Sequence, residues 1–262
     1  MERSGGRQPA LYQVPVNAEI QQLGGFMYTV KARSAAVRSF VTVLERGKEA
    51  LSYSIMAEIP ERRRAFVKAI LELLEQYGLG GVEIAWEWPG TMVKFGGISS
   101  DRESLISLLT DVRAGLKSRN KELLFFGAVY PKVLRESYRV TSICQLVDYV
   151  TLFTFDMRPH TNNVADLCLL IRSGWSLFYD PIGQMPFAVR GNQWMSYEDT
   201  NSIGVKMNFV QEKRLGGVIL QYMDYDDFWG FCGTRNPLTT FIYQRLQQIP
   251  SDIGFAIEWN KK

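Results

Sequence analysis

The chain has 262 residues, enough for one large domain with a substantial core, and its composition of 46% hydrophobic and 22% charged residues is that of a globular protein. Thirty basic residues against 27 acidic ones leave a net charge of +3, which gives no electrostatic warrant for a nucleic-acid or membrane-surface partner. No window approaches the roughly 18 apolar residues of a membrane span, and the opening MERSGGRQPALYQ lacks the apolar centre of a signal peptide.

Residues 1–25 read as an irregular N-terminal segment, and residues 26–262 as one domain. Phe26 to Arg38 predicts a helix and Ser39 to Leu44 a short strand. Arg62 to Tyr77 follows as a helix with Phe66, Ile70, Leu73 and Leu74 at helical spacing. The basic run Arg62-Arg63-Arg64 lies in its first turn, where a solvated face is the plain reading.

A strand at 79–88 comes next, then a helix from Asp101 to Leu116 with Leu105, Leu108, Leu109 and Val112 on one face. Strand Glu122 to Tyr130, a short helix within Leu134 to Cys144, and strand Val147 to Phe155 continue the alternation. After a loop at Met157 to Asn163, Val164 to Ser173 predicts a helix and Ser176 to Val189 a hairpin punctuated by Pro and Gly. Helix Tyr197 to Gln211, strand Val218 to Tyr222 and helix Leu238 to Gln247 complete the list. Strands alternating with helices predict an α/β fold with parallel strands.

The stretch Gly81 to Gly90 (GVEIAWEWPG) carries the most chemistry. Val82, Ile84, Trp86 and Trp88 alternate with Glu83, Ala85 and Glu87, the period of a strand, so two carboxylates share one face. On an exposed antiparallel face water would suffice to explain them. Here a helix leads in and Pro89-Gly90 ends the strand sharply, as in a β/α unit whose strand ends carry chemistry. Glu87 is therefore a candidate functional acid, with a solvated surface residue as the alternative.

This segment resembles the signature of glycoside hydrolase family 18, the chitinases and chitinase-like lectins, whose fourth barrel strand reads Asp-Gly-x-Asp-x-Asp-Trp-Glu-Tyr-Pro. Gly81, Trp86, Glu87 and Pro89 are identical to it, Glu83 stands for an Asp and Trp88 for the Tyr, while Gly80 and Ala85 replace the other two Asp residues. Three further segments resemble the family in order. Leu146 to Asp156 is similar to the sixth strand, and Tyr179 to Tyr197 to the segment before the last barrel helix. Gly216 to Phe228 is similar to the eighth strand, with Gln221 in place of a Trp.

The resemblance implies a (β/α)8 barrel. Counted against the family, its first two strands and its seventh are missing or remodelled, unless Ala10 to Val16 supplies one, and the small α+β insertion domain is absent. An incomplete barrel of this kind implies a fragment, a splice product or a degenerate paralogue.

The resemblance also implies a chemistry: cleavage of β-1,4 bonds between N-acetylglucosamine units, in which one Glu protonates the leaving oxygen and the substrate's own acetamido group attacks. Glu87 matches that acid. Glu83, Trp88, Phe155, Asp156 and Gln221 match substrate-contacting positions. Glu83 and Glu87 are four residues apart, about 13 Å at strand rise, and the Asp that bridges them in the family is Ala85. Phe155 lacks the hydroxyl that holds the acetamido oxygen, and Gln221 cannot stack on a sugar face.

The expected partners are therefore chitin or N-acetylglucosamine oligomers, held by aromatics such as Trp88, Trp175 and Trp194, with hydrolysis weak or absent. An active chitinase using Glu87 and a remnant without carbohydrate function are the alternatives. Asp156 and the trio Asp224, Asp226 and Asp227 read equally as sugar contacts or as capping residues. No metal-ligand spacing or glycine-rich phosphate loop implies a cofactor, and the single histidine, His160, sits in a predicted loop.

Three cysteines by themselves suggest a reduced protein. The resemblance instead pairs Cys168 with Cys232 and implies a secreted protein, the chain being then a mature form or one lacking its true start. Cys144 is expected to be a buried free thiol.

Overall fold

The computed structural model describes residues 18–33, 37–46, 50–90, 98–128, 131–153, 173–220, 226–230 and 233–249. They fall into two compact units, one within residues 18–153 and one within residues 173–249.

The first unit begins with α1 (Ala18–Arg33) and β1 (Phe40–Arg46), followed by α2 (Ala50–Glu58) and α3 (Pro60–Tyr77). It continues with β2 (Gly81–Glu87), α4 (Asp101–Lys117), β3 (Glu122–Ala128), α5 (Pro131–Ser137), α6 (Val140–Leu146) and β4 (Tyr149–Phe153). The four strands form one sheet in the order β1-β2-β3-β4, and every pairing is parallel. This is the β/α alternation read from the sequence; no closed barrel forms among the described residues.

α1 starts at Ala18, so residues 18–25 are helical rather than irregular. α2 was not legible from the sequence: Leu51 and Ile55 are exposed while Tyr53, Met56 and Ala57 are buried, a pattern without one clean apolar stripe. α3 starts at Pro60, whose missing N–H costs nothing in a first turn, and ends at Gly78 in the left-handed conformation.

The core lies between the sheet and its helices. Val82, Ile84 and Trp86 of β2 pack with Phe66, Ile70 and Leu74 of α3 and with Leu105, Leu108 and Leu109 of α4. Tyr53 of α2 joins them, its ring 5.3 Å from that of Trp86 and its hydroxyl donating to the Val43 carbonyl at 2.9 Å. Strand β4 is tied in at its start by Asp148, which accepts from the Leu123 N–H at 2.8 Å and pairs with Arg113 at 2.5 Å. Burial raises the Asp148 carboxyl, but Arg113 and the Leu123 N–H outweigh it and hold its pKa below the ordinary aspartate value.

The second unit holds an antiparallel sheet in the order β5-β6-β7, made of β5 (Ser176–Asp180), β6 (Met185–Arg190) and β7 (Gln193–Ser196). The expected hairpin is therefore a three-stranded meander, extended through a second turn at Gly191. α7 (Thr200–Glu212) and α8 (Pro237–Leu246) follow. α7 starts three residues later than expected because Asp199 and Ser202 form a reciprocal capping box, at 2.8 and 3.0 Å.

Residues 217–220 are not in a strand, contrary to the sequence expectation for Val218 to Tyr222, and residues 221–225 lie outside the described residues. A strand persists only where a neighbour takes up its ladder bonds, and among the described residues none does so for 217–220. The helix expected at Val164 to Ser173 lies outside the described residues up to position 172.

Two glycines test this packing in opposite directions. A Cβ at Gly81 would collide with the Glu122 carbonyl and lie 2.9 Å from the Phe40 ring, so Gly81→Ala should cost about 1–3 kcal/mol. At Gly25, inside α1, a Cβ meets nothing within 4 Å, and Gly25→Ala should stabilise the helix by about 0.5–1 kcal/mol. Urea unfolding of the two variants beside the wild type measures both; equal midpoints would contradict the β2–β3 approach.

Candidate functional site

β2 is the strand on which the candidate site is built, and all seven of its residues are buried. Its apolar set faces the helices, which leaves Glu83, Ala85 and Glu87 on the opposite face of the sheet. Glu83 and Glu87 are only 9% and 6% exposed, so the solvated-face reading of these carboxylates does not hold.

Strand register sets what surrounds them. Thr42, Glu83, Leu124 and Tyr149 are partners across the four strands, and Leu44, Ala85, Phe126 and Thr151 form the next row. In the first row Thr42 donates its hydroxyl to Glu83 Oε2 at 2.8 Å, which offsets part of the cost of burying a carboxylate. Below it, Arg38 pairs with Glu122 at 2.6 Å and hydrogen-bonds Tyr149, linking the starts of β1, β3 and β4. In the second row Ala85 is buried with an aliphatic and an aromatic residue as its two strand partners. The carboxylate position between Glu83 and Glu87 is thus occupied by a methyl group among largely apolar neighbours.

Glu87 ends the strand, where side chains of a parallel sheet are offered to ligands. The Glu87–Trp88 peptide is cis, Pro89 is buried, and Gly90 turns the chain at φ 89°. Trp88 packs against the main core, so much of its ring serves the fold.

The turn beyond Glu87 is fastened by Asp101, a residue the sequence reading had seen only as the start of a helix. Fully buried in the first turn of α4, its Oδ2 accepts from the Gly90 N–H at 3.1 Å and the Ile98 N–H at 2.8 Å. The Ser-Ser-Asp sequence at 99–101 signals a helix start, but nothing local reveals that the carboxylate reaches back eleven residues. Thr42 was missed for a similar reason, since its pairing with Glu83 depends on strand register.

Phe155, Asp156, Cys168, Gln221 and Cys232 lie outside the described residues, as do His160 and Asp224. Asp226 and Asp227 serve the backbone. Asp226 accepts from the Leu238 and Thr239 N–H groups at 3.3 and 2.8 Å, capping α8, and Asp227 Oδ1 accepts from the Gly230 N–H at 2.8 Å. Cys144 is a free thiol but is exposed, not buried: α6 turns Ile143 into the core, and the next residue falls on its outer side. No group of three or more metal-ligating side chains gathers among the described residues, and no described helix is long and apolar enough to cross a membrane.

In the second unit Trp194 is 62% exposed, tilted against Phe187 at 6.1 Å, while Phe187 stacks on Phe178 at 5.3 Å. Trp175 is half-buried.

The sequence profile of the family described as glycosyl hydrolases family 18 matches residues 17–168 and 160–226. The endochitinase of Manduca sexta is 22% identical over a match covering 85% of this chain and 57% of that protein, so the chain spans little more than half the length of this relative. Among solved structures, Ostrinia furnacalis Group IV chitinase in complex with allosamidin superposes with a TM-score of 0.80 at 20% identity, over 88% of this chain and 84% of that one. Human YKL-39, titled a pseudo-chitinase with retained chitooligosaccharide binding properties, superposes with a TM-score of 0.74 at 14% identity, over 88% and 86% of the two chains. These likenesses show the (β/α)8 barrel type of fold, of which the described sheet forms four strands.

Replacing Asp101 by Ala leaves two N–H groups behind Glu87 without this acceptor and should cost about 1–3 kcal/mol. Asp101→Asn keeps one oxygen for both and should stay within about 1 kcal/mol of the wild type. Thermal unfolding with tryptophan fluorescence as the signal distinguishes them; equal losses in both variants would contradict the role assigned to Oδ2.

Proposed function

The chain belongs to glycosyl hydrolases family 18, and from that premise we propose that it is a chitinase-like protein that binds chitin or N-acetylglucosamine oligomers while hydrolysing them weakly or not at all. The observation that carries this reading is Ala85, buried between Glu83 and Glu87 with Leu44 and Phe126 as strand partners.

In the family's chemistry the acetamido carbonyl of the substrate attacks the anomeric carbon while a Glu protonates the leaving oxygen. Positive charge then builds on the oxazolinium ring, and the acetamido N–H needs an acceptor. Glu87, buried at the end of β2, is the proton donor of this reading. A methyl group at position 85 can neither accept that N–H nor hand a proton between Glu83 and Glu87. Phe155 and Gln221 remove a hydroxyl and a stacking surface by their chemistry alone.

Losing one preorganised polar group typically costs about 10²–10³ in rate. Ligand binding depends less on that carboxylate, because sugar rings are also held by stacking and by hydrogen bonds elsewhere in the cleft. The pseudo-chitinase likeness and the exposed ring of Trp194 support a binding role. The retention of Glu87 at a buried strand end favours a second reading, an active chitinase with altered partners.

Retention of the purified chain on chitin beads, with turnover of a fluorogenic chitobioside at least about 100-fold below an intact family member, is the expected outcome. Ala85→Asp with Phe155→Tyr should raise turnover. Wild-type hydrolysis at ordinary rates that Glu87→Gln abolishes would establish the second reading instead, and failure to bind chitin would leave a remnant without carbohydrate function.

We place the protein outside the cell with Cys168 and Cys232 joined, and Cys144, exposed on α6, as its one free thiol. Thiol titration of the denatured, unreduced chain should then count one thiol; a count of three rules the bridge out.

A further inference from the structure

We propose that one face of the β5–β7 meander is a glycan-binding surface, on which Phe178, Phe187 and Trp194 form a single row of rings for the apolar faces of sugars. This rests on the carbohydrate-binding reading above and gives that binding a place within the second unit.

Register fixes which side chains share the face. Phe178 is paired with Phe187, Val189 with Trp194, and Phe187 with Ser196, and directly paired residues point the same way. The opposite face of β6 holds Pro186 and Ala188, both buried, so the sheet has an inner side and the rings lie on the other. An antiparallel sheet with one face packed ordinarily turns polar residues outward. Here Phe178 is 51% and Trp194 62% exposed, with Phe187 half-buried between them. Leu177 and Tyr179, also exposed, alternate onto the other face of β5 and do not widen the row.

The rings are held by one another. Phe187 stacks on Phe178 at 5.3 Å with 20° between their planes, and Trp194 leans on Phe187 at 6.1 Å and 33°. A row that crosses three strands is about 10 Å long, wider than one sugar ring. Rings already fixed in place lose little freedom when a ligand arrives.

Charge and area choose the occupant. The polar residues paired on this face are Ser176, Ser196 and Asp180, and none of its paired residues is cationic. A nucleic acid or other polyanion requires Lys or Arg beside its stacking rings. A neutral sugar requires apolar ring surface with hydrogen-bonding groups at its edge, which the serine hydroxyls and the Trp194 indole N–H are. A large aromatic side chain covers about 150–250 Å² when fully buried, so these three partly exposed rings offer on the order of 300 Å². A stable protein partner takes about 800 Å² from each side. The row is too small for that and fits a few sugar rings.

Retention on chitin beads and calorimetric titration with the hexamer of N-acetylglucosamine test the site on the full chain. Trp194→Ala and Phe178→Ala should each weaken hexamer binding about tenfold. Trp194→Tyr should keep most of the affinity, and Leu177→Ala, on the other face, all of it. In the wild type, saturating hexamer should protect Trp194 from oxidation by N-bromosuccinimide, read by peptide mass spectrometry; this result stands even if a variant misfolds. A wild type that binds the hexamer while both alanine variants bind equally well, or while Trp194 oxidises at an unchanged rate, overturns this site and leaves the binding reading intact. A wild type that fails to bind overturns the reading itself. Dimerisation that Trp194→Ala abolishes would make the row a self-association surface and overturns the proposal as well.

Discussion

A strand buried on both faces must solve two problems at once, and β2 is that strand. One face meets helices and has to be apolar, which Val82, Ile84 and Trp86 satisfy by packing on α3, α4 and the ring of Tyr53. The other carries Glu83 and Glu87, which can be buried only where donors reach them. Thr42 on β1 supplies one to Glu83, and it does so because parallel partners in register share a face. The position of the neighbouring strands, the helix layer and the strand-end turn all follow from holding β2 in this double environment. Asp101 completes it by gathering the N–H groups of the turn beyond Glu87, so the acid-bearing end is anchored to the first turn of α4.

The same strand carries the proposed separation of binding from catalysis. The family's reaction needs a charged group in the middle of the row to meet a charge that develops only in the transition state. A row of Leu44, Ala85, Phe126 and Thr151 offers no such group. An apolar floor of this kind suits the hydrophobic face of a sugar ring better than an oxazolinium ion, which is the physical ground of the proposal that ligand is retained with little turnover.

In the second unit two acids follow the capping alternative that the sequence left open. Asp226 and Asp227 sit in a segment that resembles the family's eighth strand, yet their oxygens accept backbone N–H groups at the start of α8 and in the preceding turn. Such acids are fully explained by helix-end accounting. The exposed aromatics Phe178 and Trp194 both pack on Phe187 across the meander and still present ring surface to solvent.

The sequence by itself determined the β/α alternation, a strand within 79–88 with its two carboxylates on one face, the family, and the alanine that stands between those carboxylates. Periodicity is a local property, and a ten-residue motif survives even when the chain around it diverges. α2 escaped because its apolar residues follow no single helical stripe, and the third strand of the meander because four residues carry too little pattern. Only the tertiary structure decided which groups stand beside the carboxylates. Thr42 lies 41 residues from Glu83 and Phe126 lies 41 from Ala85, and strand register alone brings each pair together. Whether Cys144 is buried turned on the rotation of a seven-residue helix.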